Sequence, residues 1–150
     1  FTRNNKRITM DHIVYTDAKS GELEKLLDGK KTMIIRGATG RKLPYGKVLA
    51  NDELYFIRNN GEGLVIAKAV VTDVFNSEKM DQGKSIKLVE NNQDKLHLDK
   101  NQFNKWAGKR YLVFINIANI QKIESFKIDK SEFSNMDDWL PVEDINSVRA

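Results

Sequence analysis

The sequence predicts an α+β protein dominated by strands, most simply a small β-barrel of six or seven strands with two short flanking helices. Two observations lead to this fold class. About seven segments are rich in β-branched and aromatic residues and are bounded by turn residues, whereas two segments have helix-capping signals. A chain of 150 residues fits one domain, because a single core still grows at this size.

The first elements are a strand, a helix and a second strand. Residues 12–16 (HIVYT) are typical of a strand, and residues 20–30 (SGELEKLLDGK) are typical of a helix whose leucines recur at helical spacing. Ser20 is the predicted N-cap and Gly29 the predicted C′ residue. Residues 32–36 (TMIIR) predict the second strand, so the chain passes directly from helix to strand.

The remaining elements are strands and one more helix. A glycine-rich loop is predicted at 37–47, followed by a hairpin of strands at 52–58 and 63–75. Two shorter strands are predicted at 84–90 and 95–98, and then a helix at 99–108 with Asp99 as its N-cap and Gln102 completing a capping box. One or two strands are predicted at 110–128, with Asn119 as a break.

The two ends of the chain differ in charge from its body. We expect residues 1–9 to be an N-terminal extension or an added remnant, residues 10–130 to be the domain, and residues 131–150 to be an acidic C-terminal tail that Trp139, Leu140 and Pro141 pin to the body. The net charge is +4, and it falls to +1 without the three basic side chains of the extension. The total charge is therefore a weak indication of nucleic-acid binding.

Composition excludes several classes of protein. Without cysteine the chain has no disulfide framework, no thiolate nucleophile and no zinc ribbon, and we expect a cytoplasmic location. No apolar run approaches the roughly 20 residues that a membrane-spanning helix needs, so we expect no membrane partner.

The short motifs of the chain do not predict a nucleotide or metal site. Residues 29–32 (GKKT) end a helix and begin a strand, whereas a phosphate-binding P-loop follows a strand and opens a helix. His12 and His97 are far apart in the sequence and predict structural histidines. Asp137 and Asp138 are typical of a solvated turn. We expect no metal and no cofactor.

Two segments resemble a known family. Residues 22–36 (ELEKLLDGKKTMIIR), followed by residues 50–74 (ANDELYFIRNNGEGLVIAKAVVTDV), resemble the ASCH family of the PUA-like superfamily. Gly29, Lys31 and Arg36 match its GxKxxExR motif, and the likeness extends over about residues 12–120. The resemblance implies a PUA-like β-barrel that binds RNA or a nucleotide-like ligand in a basic cleft between the first helix and the barrel.

One position departs from the family motif. Where the motif has glutamate, the chain has Ile34. A similar subgroup, reading GxKTxTxR, hydrolyses N4-acetylcytidine with the motif lysine, the second threonine and a carboxylate. Here Lys31 and Thr32 are present, but the second threonine is again Ile34, which cannot act as a nucleophile or carry a proton. The departure favours a binding module over an enzyme, and no catalytic residue is predicted.

The predicted ligand contacts lie in an acid-free window at residues 30–47. We expect Lys31 and Arg36 to hold phosphate, Arg41 and Lys42 to extend the contact, and Tyr45 to stack on a base. The alternative for Arg36 is a carboxylate partner elsewhere in the barrel, since buried arginines are usually paired. The alternative for the loop residues is ordinary solvation, with Tyr45 packed beside the loop proline.

Two other functions remain open from the sequence. The first is a small amidohydrolase acting on an acetylated nucleoside, in which Lys31 is the base, Thr32 replaces the missing hydroxyl and a carboxylate such as Glu78 assists. The second is a protein-interaction or regulatory domain in which residues 137–140 dock on a partner or cover the basic cleft of their own chain.

Overall fold

The structure, a computed structural model, describes residues 8–129 and 138–150. Most of the predicted N-terminal extension and the first part of the predicted acidic tail, including Asp137, lie outside these ranges. The predicted domain boundaries stay predictions. None of the helices in the described ranges has the length and apolar character that a bilayer crossing requires.

The fold is a curled sheet with helices packed against both faces of one edge strand. In chain order its elements are β1 (Asp11–Thr16), α1 (Glu22–Leu27), β2 (Met33–Ala38), β3 (Glu53–Arg58), β4 (Leu64–Asn76), α2 (Gln82–Asn91), α3 (Gln93–Leu96), α4 (Lys100–Trp106), β5 (Tyr111–Lys127), β6 (Trp139–Val142) and a 3₁₀ turn (Ile145–Val148). The six strands form one sheet in the order β2-β5-β4-β3-β1-β6. β1 and β3 run parallel, and the other neighbouring pairs are antiparallel.

The predicted fold class is confirmed, since the curled sheet is a half-barrel of six strands within an α+β architecture. Several local predictions are also confirmed. Gly29 follows the last residues of α1 with a φ of 83°, which glycine adopts at little cost. Asp99 caps α4, because its Oδ1 accepts a hydrogen bond of 2.8 Å from the backbone N–H of Gln102.

The prediction of two short strands at 84–90 and 95–98 is wrong. Segment 84–90 lies in α2, and segment 95–98 covers the end of α3 and the residues after it, so four helices flank the sheet rather than two. The helical signal was present in the sequence: Ser85 and Val89 are buried one helical turn apart, and the Oδ1 of Asp81 accepts a hydrogen bond of 2.8 Å from the N–H of Lys84. The alternation of lysines with apolar residues concealed this pattern.

The predicted cap of α1 is also wrong. Gly21, with a φ of 68°, occupies the N-cap position without a side-chain hydrogen bond. Ser20 instead donates its backbone N–H to Asp17 at 2.8 Å, and the Oε1 of Glu22 accepts from the N–H of Asp17 at 2.9 Å. The loop before α1 is therefore closed by acidic side chains, and it fixes the position of Glu22.

Strand β2 is buried on both faces. Ile34 belongs to the core between the sheet and α1, together with Leu23 and Leu26. Met33 and Ile35 belong to a separate core beneath α2, α3 and α4. The alternation of side chains along a strand produces this division, and it places the residues that follow α1 between two layers of helices.

The C-terminal strand is locked to β1 by a buried histidine. The Nε1–H of Trp139 donates to Nδ1 of His12 at 3.1 Å, and Nε2 of His12 lies 2.8 Å from Oδ2 of Asp52. Because an indole nitrogen can only donate, the proton of His12 is on Nε2 and is donated to Asp52. His12 therefore joins three distant parts of the chain, and its role is structural.

We expect Gly37→Ala to destabilise the fold. A Cβ at Gly37 would lie 2.7 Å from Cδ2 of Leu112 and 3.0 Å from the carbonyl oxygen of Tyr111, so β2 and β5 would have to separate. The free energy of unfolding, measured by urea titration, should fall by about 1–3 kcal/mol. Gly40→Ala is the control, because nothing lies within 4 Å of its Cβ position. An equal effect of the two substitutions would contradict this account.

Candidate functional site

Lys31 lies between α1 and β2 and is almost completely buried. Its side chain is 3% exposed, and its Nζ donates to the carbonyl oxygen of Leu96 at 2.7 Å. Burial lowers the pKa of Lys31 to about 8, and the nearby carboxylate of Glu22 acts in the opposite direction. The ammonium group is therefore covered by α3 and has a partner from the protein.

Arg36 is held by partners on several sides. Its Nη1 lies 3.2 Å from Oε2 of Glu22, its Nη2 donates to the carbonyl oxygen of Tyr15 at 3.0 Å, and its Nε lies 3.1 Å from Oδ2 of Asp138. Burial opposes the charge of Arg36, but Glu22 and Asp138 raise the pKa of its guanidinium above the ordinary value. This geometry favours the alternative in which Arg36 pairs with carboxylates of its own chain.

Glu22 is the acidic centre of this group. Its side chain is buried, and burial alone would raise its pKa. The charges of Arg36 and Lys31 and a hydrogen bond from the backbone of Asp17 outweigh burial, so the pKa of Glu22 lies below its ordinary value. Glu22, Lys31, Arg36 and Asp138 are called the charge cluster below.

Aromatic rings flank the guanidinium of Arg36. Its Cζ lies 5.7 Å from the ring centroid of Trp106 in α4 and 5.8 Å from that of Trp139 in β6. Such contacts are favourable for a cation. Arg36 thus connects α1, β2, α4 and the C-terminal strand.

The residues named for the alternative hydrolase function lie in different environments in this structure. Ile34 is fully buried in the core against α1, so an apolar side chain lies where the GxKTxTxR motif has a threonine hydroxyl. Thr32 is exposed, and Glu78 lies in the loop after β4, where it lines a groove beside α2. Lys31 is covered by Leu96. The structure therefore distributes these groups over different environments.

The loop residues of the predicted site lie on the surface. Arg41 and Lys42 are exposed, and Tyr45 is half-buried. The Cζ of Arg41 lies 5.7 Å from the ring centroid of Tyr45 and 5.6 Å from that of Tyr111. The hydroxyl of Tyr45 donates to the carbonyl oxygen of Ser77 at 2.6 Å, which ties the loop to the end of β4.

Three chain segments meet at this surface. The pairing of Ala38 with Tyr111 brings the start of β5 to the end of β2, and the N–H of Met80 donates to the carbonyl oxygen of Arg110 at 3.0 Å. The surface is formed by segments 39–51, 76–80 and 104–111, and the exposed acidic residue within them is Glu78. Their basic residues, all exposed, are Arg41, Lys42, Lys47, Lys79, Lys105, Lys109 and Arg110. This surface is called the basic end below.

The sequence prediction missed the second half of the basic end. Lys79, Lys105, Lys109 and Arg110 are separated from Arg41 by dozens of residues. The pairing of β2 with β5 brings segment 104–111 to the loop, and the hydrogen bond from Met80 to Arg110 brings Lys79 to the same segment. A short KR pair before a strong strand was the available signal, but without the sheet order it could not be assigned to the loop. The predicted site residues themselves divide between the buried charge cluster and the exposed basic end.

No metal site emerges from the described ranges, in which no three His, Cys, Asp or Glu side chains are placed to hold an ion. His97 is exposed and ends α3 with a left-handed backbone, φ 47°. His12 is occupied by Asp52 and Trp139.

Replacing Lys31 should change how stability depends on pH. The pKa of Lys31 is about 8 in the folded protein and 10.5 ordinarily, so between these values the unfolded chain binds more protons and stability rises with pH. The quantity to follow is the free energy of unfolding of the unsubstituted protein minus that of Lys31→Met. This difference should rise between pH 8 and pH 10.5, by at most on the order of 3 kcal/mol. Urea titrations across this range test the prediction, and a constant difference would contradict it.

Comparison with known proteins identifies the fold. No family model and no curated protein matches the sequence. A crystal structure of ASCH from Zymomonas mobilis is 13% identical, with a TM-score of 0.64 over 93% of this chain and 96% of that chain. A Tyr→Phe variant of it is 15% identical, with a TM-score of 0.63 over 93% and 99%. A Ser→Ala variant is 14% identical, with a TM-score of 0.61 over 85% and 82%.

This likeness confirms the fold that the sequence resemblance implied, and at such identities it concerns the fold alone. The protein has an ASCH-like fold, a curled six-stranded half-barrel flanked by helices.

Proposed function

We propose that the protein is a non-catalytic binding module for RNA or a nucleotide-like ligand, which contacts the basic end. The observation that carries this proposal is the position of Arg41, whose guanidinium lies over the rings of both Tyr45 and Tyr111. The three segments of this surface contribute seven exposed cations and one exposed acid, and the exposed Asp81 lies at its border. The resemblance to the ASCH family implies the same class of ligand.

The chemistry of this surface suits a nucleic acid. Arginine and lysine bind phosphates, and this part of the interaction is independent of base sequence. A guanidinium stacked on a ring presents a flat face on which a base can lie, while its edge still donates hydrogen bonds. The hydroxyl of Tyr45 is already bonded to Ser77, so the ring rather than the hydroxyl is the part offered to a ligand.

The proposal assigns different roles to the predicted site residues. Arg41, Lys42 and Tyr45 contact the ligand directly. Lys31 and Arg36 have protein partners in the charge cluster, and they act on the ligand through the position of α1 and β2 unless that cluster opens. Such a ligand is available in the cytoplasm, the compartment predicted from the cysteine-free sequence.

The first test is binding of a short single-stranded RNA, measured by fluorescence anisotropy at several salt concentrations. Replacing both Arg41 and Lys42 by Ala should weaken binding about tenfold or more at low salt. Because each phosphate contact to a single strand contributes roughly 0.7 to the slope of log affinity against log salt, the slope should decrease by about 1.4.

The matched control replaces Lys122 and Lys127 by Ala. These exposed lysines lie at the opposite end of β5, opposite Ala67 and Leu64, and their loss changes the net charge equally. The proposal fails if RNA does not bind at low salt, or if the two double variants lose the same affinity.

A second candidate function is hydrolysis of an acetylated nucleoside. The observation in its favour is the pKa of Lys31, about 8, because a lysine that titrates near neutrality can act as a base. Against it are the buried Ile34 and the cover of Leu96 over Lys31.

Incubation with N4-acetylcytidine, followed by chromatography, tests this second function. We expect no release of cytidine above the rate of a protein-free sample, and no difference between the unsubstituted protein and Lys31→Met. Time-dependent release that disappears in a folded Lys31→Met variant would establish the hydrolase and displace the binding proposal.

A further inference from the structure

The partners of Arg36 differ in how firmly they are held. Glu22 is buried with the guanidinium, whereas the side chain of Asp138 is 42% exposed. Nε of Arg36 lies 3.1 Å from Asp138, yet it is the one buried side-chain nitrogen or oxygen in the described ranges that has no aligned hydrogen bond. An anion that aligned with this N–H would gain a charge-assisted hydrogen bond that Asp138 does not make.

The carboxylate of Asp138 can leave without unfolding the C-terminal strand. The backbone carbonyl of Asp138 accepts a hydrogen bond of 2.9 Å from the N–H of Tyr15, and the next residue, Trp139, is fixed by His12. Rotation of the Asp138 side chain therefore takes its carboxylate away from Nε of Arg36 while β6 remains paired. Its exposed fraction shows that this side of the guanidinium is the one nearest to solvent.

Two lysines lie near this opening. Nζ of Lys105 is 4.7 Å from the ring centroid of Trp106, one of the two rings that flank Arg36. Lys105 and Lys19 both act electrostatically on Asp17, which in turn acts on Arg36. An anion that replaced the carboxylate of Asp138 would therefore meet two lysines whose charges offset that of Asp17.

We propose that Arg36 is the anchor of a site for a terminal phosphate monoester, and that the side chain of Asp138 occupies this site until the ligand displaces it. A terminal phosphate has up to two negative charges and one substituent, so it can compete with a carboxylate for the guanidinium and needs access from one side only. An internal phosphodiester has one charge and continues on both sides, so it fits less well at a guanidinium that is 4% exposed and flanked by the rings of Trp106 and Trp139. The inference rests on the proposed function, and it names the end of the ligand that enters the protein.

The test compares three RNAs of one sequence, with hydroxyl ends, with a 5′-phosphate and with a 3′-phosphate. Asp138→Ala should raise the affinity for one or both phosphorylated RNAs about tenfold, relative to the hydroxyl RNA. Asp138→Asn should have the same direction with a smaller effect. Glu143→Ala is the matched control, since Glu143 is an exposed acid of the same C-terminal segment and its loss changes the net charge equally.

Inorganic phosphate is a second probe that does not depend on RNA binding. In the ¹H–¹⁵N spectrum of Asp138→Ala, we expect phosphate to shift the Arg36 Nε–H signal saturably while the indole signal of Trp139 shows that β6 is still docked. A terminal nucleotide and free phosphate are distinguished by comparing a nucleoside monophosphate with inorganic phosphate in the same titration.

The outcomes separate this inference from the proposed function. Equal gains for all three RNAs, or the same gains in Glu143→Ala, would overturn the terminal-phosphate site while leaving RNA binding at the basic end intact. If none of the RNAs binds, the proposed function fails, and a saturable phosphate shift at Arg36 would still support the site. An unmoved Arg36 signal together with no preference for phosphorylated RNA would overturn the site.

Discussion

The buried ion pair between Arg36 and Glu22 is the constraint on which the rest of the structure depends. A buried arginine is tolerated when its donors are paired, and leaving one partner of such a pair alone generally costs about 3–5 kcal/mol. Glu22 opens α1, Arg36 lies in β2, and the guanidinium also reaches Tyr15 in β1. One side chain thus fixes the helix against two strands that are not neighbours in the sheet.

The same pair divides the positive charge of the protein into two kinds. Inside, Lys31 and Arg36 are neutralised by the chain's own carboxylates and covered by Leu96 and two indole rings. Outside, Arg41 and its neighbours remain in contact with solvent on an acid-poor surface. Under the proposed function, a ligand meets the basic end first, and it reaches the interior only where the side chain of Asp138 moves away.

Some local features were predictable from the sequence, whereas features made by distant pairing were not. Gly29 and Asp99 were assigned correctly because caps depend on a few adjacent residues. The family resemblance identified the motif residues around β2. The general rule that buried arginines are paired indicated that Arg36 could have a carboxylate partner in its own chain. The identity of Asp138 as its partner was hidden, because it requires β6 to pair with β1 across most of the chain. The helices at 82–96 were missed because a lysine-rich amphipathic helix and an alternating strand look alike over seven residues.

The contact of Trp139 with His12 joins residues 127 positions apart, and this has a consequence for how the protein is made. Synthesis proceeds from the N-terminus, so β1 and β3 are delivered long before the strand that covers β1. Until residues 138–142 arrive, one edge of β1 lacks its partner and the imidazole of His12 lacks its indole. Arg36 during that interval has Glu22 but not Asp138. Until residues 138–142 are translated, the side of the Arg36 guanidinium that Asp138 covers in the folded protein therefore has no carboxylate beside it.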